Sequence, residues 1–77
     1  MNNQRREALG DLAEQLAELK IQLEQYRDEE QDAFDNMPEG LQQSERGEMM
    51  EECAQNLETA VGGLEDAIGE IMEAIER

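Results

Sequence analysis

The fold is decided by residues 50–75, which read MEECAQNLETAVGGLEDAIGEIMEAI. Apolar residues recur in this stretch at alternating spacings of four and three: Met50, Ala54, Leu57, Val61, Leu64, Ile68, Ile71 and Ile75. Such a spacing places one stripe of side chains on a single face of an α-helix, whereas a half-buried strand alternates every two residues. The pattern therefore predicts a long amphipathic helix over residues 45–76.

Small residues repeat every seven positions beside this stripe: Cys53, Ala60, Ala67 and Ala74. A row of small side chains allows another helix to approach closely, so we expect Cys53 to be a small buried residue next to the contact. Three glycines, each costing about 1 kcal/mol relative to alanine, interrupt the same helix: Gly62, Gly63 and Gly69. They either admit a close backbone neighbour or leave this stretch of the helix soft.

A second helix is predicted upstream, over residues 4–34. Its apolar residues also alternate spacings of three and four: Leu9, Leu12, Leu16, Leu19, Leu23 and Tyr26. We expect these six residues to form one seam that serves the core and the oligomer contact, and the downstream helix of the same hairpin can cover it from one side only. Ile21, Met49 and Met72 lie off both stripes and would need another surface to cover them.

A turn over about residues 35–44 separates the two helices. Pro38 blocks continuation of the first helix and disfavours a helical conformation at Met37. Ser44 is a suitable N-cap for the second helix, and Met37 and Leu41 are expected to fold back over the hairpin end. Helices of matched length joined by a short connection predict an all-α antiparallel hairpin, formed by residues 1–77 as one domain.

The chain is short for an independently stable core. It has 77 residues, 38% of them hydrophobic and only 3% aromatic. Chains of this size bury little apolar surface, so we expect two hairpins to pair as a homodimeric four-helix bundle. The alternative is that one hairpin suffices.

Acidic residues dominate the charge. There are 21 Asp and Glu against 6 Lys and Arg and no His, which gives a formal net charge of −15. This balance argues against direct binding of nucleic acid or of anionic membranes, because both require clustered basic residues. Ten carboxylates are concentrated around the turn: Asp28, Glu29, Glu30, Asp32, Asp35, Glu39, Glu45, Glu48, Glu51 and Glu52.

Two interpretations of these ten carboxylates are open. The first is a solvated surface that keeps the protein soluble. The second is a surface that meets a basic partner, for example the nucleic-acid groove of another protein. A helix suits the second role because it holds carboxylates three, four and seven positions apart on one face.

Catalysis is not expected, and neither is a cofactor. Without His the chain lacks the usual proton shuttle at neutral pH, and Cys53 has no His to activate it. One calcium-loop register exists, with carboxylates at Asp28, Glu30, Asp32 and Glu39. However, Ala33 stands where that loop needs glycine, so we assign no metal site. A calcium-responsive module is the least favoured alternative.

No run of eighteen apolar residues occurs, and the polar start Met1–Glu7 leads into no apolar segment. A transmembrane helix and a signal peptide are therefore not predicted, and a cytoplasmic location is expected.

The turn carries one resemblance. Residues 27–50, RDEEQDAFDNMPEGLQQSERGEMM, lie between a Leu-rich and an Ile-rich acidic helix. This arrangement resembles short acidic helical proteins of bacteriophages and prophages. Residues 35–39 and 44–47 are the segments most specific to the resemblance. The resemblance implies a type of small acidic protein that mimics DNA and inhibits a host defence system of the restriction or CRISPR kind.

The function expected from the sequence is thus a binding protein. It would inhibit a basic host protein, such as a nuclease or CRISPR effector, by occupying its nucleic-acid groove with the ten carboxylates. The alternative is a self-associating structural or scaffold protein that uses the Leu and Ile seams, with the acidic surface serving solubility.

Overall fold

The structure is a computed structural model that describes all 77 residues. It contains two long helices, α1 (Asn3–Asp35) and α3 (Glu45–Glu76), and one short helix, α2 (Glu39–Gln42), in the connection between them. No strand is present. The prediction of an all-α hairpin is confirmed, and the long helices begin and end within one residue of the predicted bounds. The short helix α2 was not predicted.

Two cross-helix ion pairs fix the antiparallel register. Lys20 Nζ lies 3.3 Å from Glu65 Oε1, and Arg27 Nη1 lies 2.8 Å from Glu58 Oε2. Seven residues forward along α1 are thus matched by seven residues backward along α3. The resulting rod measures 58 × 15 × 12 Å between Cα atoms.

The core lies along the contact between α1 and α3 and is thin. Only three apolar residues are buried: Ala13 at 5% exposure, Ala54 at 3% and Val61 at 2%. The remaining members of the α3 stripe are half-buried: Met50, Leu57, Leu64, Ile68, Ile71 and Ile75. The predicted stripe of α3 is therefore the face that packs on α1.

Only half of the predicted α1 seam lies in the contact with α3. Leu9, Leu16 and Leu23 are half-buried, as expected. The other three are exposed: Leu12 at 49%, Leu19 at 53% and Tyr26 at 63%. The physical reason is the orientation of α1, which turns towards α3 the side that carries Ala13, Lys20 and Arg27. Ala13 allows close approach, and the two cations reach carboxylates of α3.

The connection is closed by backbone hydrogen bonds and one cap. Pro38 lies three residues after the end of α1 and directly precedes α2, where its carbonyl accepts from the Leu41 N–H at 2.8 Å. Ser44 caps α3, as predicted, with its hydroxyl oxygen accepting from the Gly47 N–H at 3.3 Å. Met37 is half-buried, but Leu41 is 52% exposed, so the expectation that Leu41 covers the hairpin end is wrong.

Gly47 allows α2 to lie against the first turn of α3. It is buried, and a Cβ atom added there would lie closer than 3.0 Å to backbone atoms of Leu41 and Gln42. No side chain can occupy that space without moving the α2 backbone. The other five glycines, in contrast, have nothing within 4 Å of an added Cβ, so Gly62, Gly63 and Gly69 admit no close neighbour within one hairpin.

Candidate functional site

The ten acidic residues predicted as a partner surface converge on the turn end of the rod. Nine of them are exposed and Glu30 is half-buried. Only Asp28 takes part in an ion pair, with Arg27, so the other nine carboxylates have no cationic partner. One further cation, Arg46, lies within this part of the chain, and it forms no ion pair. The turn end is therefore a concentrated and uncompensated negative surface.

These carboxylates surround the end of the rod rather than share a single face. On α3, Glu48, Glu51 and Glu52 line one shallow groove together with Gln55. Asp28 lies beside a neighbouring groove, whose other residues include Gln55 and Glu58. Both grooves lie on the side of the hairpin that carries the cross-helix ion pairs. We call this side the acidic flank; its carboxylates include Asp28, Glu48, Glu51, Glu52, Glu58 and Glu65.

Three of the ten residues lie apart from the acidic flank. Glu30 falls on the side of α1 that faces α3, three residues after Arg27, which explains its partial burial. Glu29, one residue earlier, projects to the opposite side of the hairpin. Glu39 lies in the first turn of α2, within the connection. The ten residues thus form one end of the molecule, with the acidic flank as its most continuous part.

Arg27 is the most heavily engaged cation of the chain. Its Nε and Nη2 atoms donate to Asp28 Oδ1 at 3.1 and 3.0 Å, and Nη1 donates to Glu58 Oε2 at 2.8 Å. The side-chain hydrogen bond to Asp28, followed by that to Glu58, raises the pKa of the Arg27 guanidinium above its ordinary value. Glu24 lies 4.0 Å away and completes a cluster in which one cation faces three carboxylates.

The side opposite the acidic flank carries almost no charge. The innermost contact positions are Ala13, Lys20 and Arg27 on α1 and Ala54 and Val61 on α3. In an antiparallel helix pair, the residues directly before such positions lie on the same side of the pair in both helices. Here these residues form two rows of uncharged side chains: Leu12, Leu19, Tyr26 and Ala33 on α1, and Cys53, Ala60, Ala67 and Ala74 on α3. At the N-terminal end of each helix the row continues into a cation, Arg5 on α1 and Arg46 on α3. All of them are exposed except Ala74, which is half-buried. We call this side the uncharged face.

Uncharged residues also flank the two rows. On the outer side of the α1 row lie Ala8, Gln15 and Gln22, and on the outer side of the α3 row lie Met49, Asn56 and Gly63. Only two of the 21 carboxylates, Glu29 and Glu70, occupy equivalent outer positions. The acidic residues are therefore segregated from one side of the hairpin.

Cys53 lies on the uncharged face and is exposed. The expectation that it is a buried residue beside the α1–α3 contact is wrong. The reason is the same orientation of the helices that exposes Leu12, since both residues lie outside the contact within one hairpin.

The calcium-loop register does not form a loop. Asp28, Glu30 and Asp32 lie within the continuous helix α1, while Glu39 lies beyond Pro38 in α2. No three His, Cys, Asp or Glu side chains come together in a geometry that holds a metal ion.

Two features of the hairpin were missed in the sequence. The first is the contact of Lys20 and Arg27 with α3, for which the signal is their seven-residue spacing, since it places both on the same side of α1. Gly47, at the third position after the cap Ser44, also carried a signal, because glycine in the first turn of a helix needs a packing reason.

Neither long helix is apolar enough to cross a bilayer. Among family models, curated proteins and solved structures, none matches this chain.

Proposed function

We propose that this chain is a non-catalytic binding protein whose turn end occupies the basic nucleic-acid groove of another protein. The observation that carries this proposal is the set of nine carboxylates at that end with no cationic partner. Uncompensated charges at such density repel one another and reduce the stability of the fold. A partner that supplies cations relieves this repulsion, which makes the turn end a favourable binding surface.

The dimensions of the rod support binding in a groove built for nucleic acid. A net charge of −15 over 58 Å amounts to about one negative charge per 4 Å of length. Duplex DNA carries about one per 1.7 Å. The average density of the rod is thus lower than that of DNA, but both present a rigid negative surface. Long-range attraction to a basic groove would accelerate association and make it sensitive to salt.

The partner class follows from the same chemistry. A basic groove that holds nucleic acid belongs to nucleases and related effectors, and the resemblance to phage and prophage proteins implies a host defence enzyme of the restriction or CRISPR kind. The chain would act in the cytoplasm of the bacterial host as a competitor of nucleic acid, without binding nucleic acid itself.

The proposal is tested by capture of partners from a bacterial host lysate, at low and high salt and with or without added duplex DNA. One variant neutralises four carboxylates at the turn end: Asp32→Asn, Asp35→Asn, Glu48→Gln and Glu52→Gln. The matched control neutralises four at the open end of the hairpin: Asp66→Asn, Glu70→Gln, Glu73→Gln and Glu76→Gln. Both variants change the net charge by the same amount, so only the position of the charges differs.

We expect the unmodified chain and the open-end variant to retain a nucleic-acid-binding protein at low salt, and added DNA to release it. The turn-end variant should lose this partner while circular dichroism shows that its helices persist. Equal retention by both variants, or a partner indifferent to salt and DNA, would contradict the proposal.

A self-associating scaffold is the second candidate, favoured by the exposure of Leu12, Leu19 and Tyr26. It requires assembly beyond a dimer. Under this function, the turn-end variant would keep its activity and substitution of the exposed apolar row would abolish it.

A further inference from the structure

The uncharged face concentrates exposed apolar surface in a chain that is otherwise covered with carboxylates. Of the eight large hydrophobic residues that are exposed, four lie there: Leu12, Leu19, Tyr26 and Met49. The three on α1 are spaced by seven residues, so they form a line of about 21 Å along the helix. Singly exposed apolar residues are common on protein surfaces, whereas a continuous line of them is typical of a protein interface.

The total surface area indicates how much of the chain is left uncovered. A folded monomer of 8.8 kDa is expected to expose about 4,800 Å². This chain exposes 5844 Å², an excess of about 1,000 Å². Stable protein interfaces bury about 800 Å² on each partner. The extended rod therefore exposes more surface than a compact monomer of its mass, by an amount similar to the area that one partner covers in a stable interface.

Charge identifies the partner. Two copies of a chain with a net charge of −15 repel one another, so they can only meet where carboxylates are missing. The uncharged face is that place, because only Glu29 and Glu70 lie along it. The acidic flank, with Glu51, Glu58 and Glu65 on α3 alone, is closed to a second copy.

The shape of the uncharged face also fits a second copy. A bulky row on α1 runs beside a small row on α3, and Cys53, Ala60 and Ala67 of the small row are exposed. Two copies related by a two-fold axis can place the bulky row of each against the small row of the other. A face with both rows is therefore complementary to itself.

We propose that a second copy of this chain docks on the uncharged face, so that two hairpins form a four-helix bundle with both acidic flanks outward. The bundle covers the apolar row that one hairpin leaves in water. Side by side over 58 Å, two chains carry a net charge of −30, about one charge per 2 Å, which approaches the density of duplex DNA. The dimer itself does not depend on the function proposed above.

The test is sedimentation of the purified chain, without any partner, over a wide range of protein concentration. We expect a mass of about twice 8.8 kDa. Leu19→Glu should raise the dissociation constant of the dimer by about a hundredfold or more, because it places a charge in the interface. The matched control is Ile21→Glu, which adds the same charge to the same helix outside the uncharged face.

Ile21 is well suited as the control because it is 57% exposed, close to the 53% of Leu19. We expect Ile21→Glu to change the dissociation constant by no more than about threefold through added repulsion. An unmodified chain that sediments as a monomer would overturn the proposal, and so would equal dissociation by the two variants.

A second measurement applies if Leu19→Glu fails to fold. Because a dimer is stabilised by mass action, the melting temperature of the unmodified chain should rise with protein concentration. A melting temperature independent of concentration would overturn the dimer. If the unmodified chain dimerises but captures no basic partner, that result would count against the function proposed above and leave the dimer standing.

Discussion

Arg27 of α1 donates to Glu58 of α3 at 2.8 Å and joins the two long helices across the acidic flank. It is surrounded by carboxylates, with Asp28 and Glu24 also within 4.0 Å. Arg27→Gln removes the cation that contacts all three carboxylates and leaves only Glu24 paired, with Lys20 at 3.6 Å. We expect the melting temperature to fall by about 2–5 °C, a loss typical of exposed ion pairs in a domain of this size.

Glu58→Gln isolates the cross-helix contribution. In the Arg27→Gln background, Glu58 is an unpaired carboxylate among others, so its neutralisation should raise the melting temperature. In the unmodified chain the same substitution also breaks an ion pair, so any gain should be smaller or reversed. Equal effects of Glu58→Gln in both backgrounds would show that the two side chains are not coupled.

Gly47→Ala should be the most harmful glycine substitution. The added methyl group would lie closer than 3.0 Å to backbone atoms of Leu41 and Gln42, so α2 would have to move away from α3. We expect a loss of about 2–3 kcal/mol in the free energy of unfolding, as for other overpacked sites. Chemical denaturation monitored by circular dichroism measures it.

Gly69→Ala is the control for Gly47→Ala. Nothing lies within 4 Å of a Cβ atom added at Gly69, and the residue is inside α3. Alanine should therefore stabilise the chain by about 0.5–1 kcal/mol through its higher helix propensity. If both alanine variants shift the stability in the same direction, α2 does not pack against Gly47 as described.

The hairpin could be predicted from the sequence because its signals are local. The spacing of apolar residues from Met50 to Ile75, the break at Pro38 and the cap at Ser44 each act within one helix or one turn. These signals gave the helices almost to the residue, and they identified the face of α3 that packs on α1.

The rotation of α1 could not be read in the same way. Spacings of three and four fit a seam through Leu9 and Leu12 as well as one through Leu9 and Ala13. The choice depends on what α3 presents, in particular Glu58 and Glu65 opposite Arg27 and Lys20. Hydrophobicity alone favours the leucines, whereas the ion pairs and the small size of Ala13 decide the packing. The uncharged face is a consequence of that rotation.

Ser44→Ala should destabilise the chain by about 1 kcal/mol. The Ser44 hydroxyl oxygen accepts from the Gly47 N–H at 3.3 Å and its own proton is donated to the Leu41 carbonyl, so the side chain ties the start of α3 to α2. Asn2→Ala removes the corresponding cap of α1, which accepts from the Arg5 N–H at 2.7 Å. Because Asn2 is exposed whereas Ser44 is half-buried, loss of the Asn2 cap should cost less.

Added salt should raise the melting temperature. Of 21 carboxylates, only four take part in ion pairs: Glu24, Asp28, Glu58 and Glu65. Salt weakens those pairs, but it also screens the repulsion among the remaining 17 carboxylates, which is the larger effect. Sodium chloride titration during thermal melting measures the balance. A melting temperature that falls with salt would mean that the ion pairs of Lys20 and Arg27 stabilise the fold by more than the repulsion among carboxylates destabilises it.

Val61→Asp should unfold the hairpin. Val61 is the most buried apolar side chain, at 2% exposure. A carboxylate there would lose its water in the contact between the helices, at a cost of more than about 4 kcal/mol, which a core of three buried apolar residues cannot absorb. Ile21→Asp is the control, since it adds the same charge at a residue that is 57% exposed and should keep its helicity. Circular dichroism of the two variants tests the contact between α1 and α3 directly, because a Val61→Asp chain that stayed helical and melted like the Ile21→Asp chain would place Val61 in water.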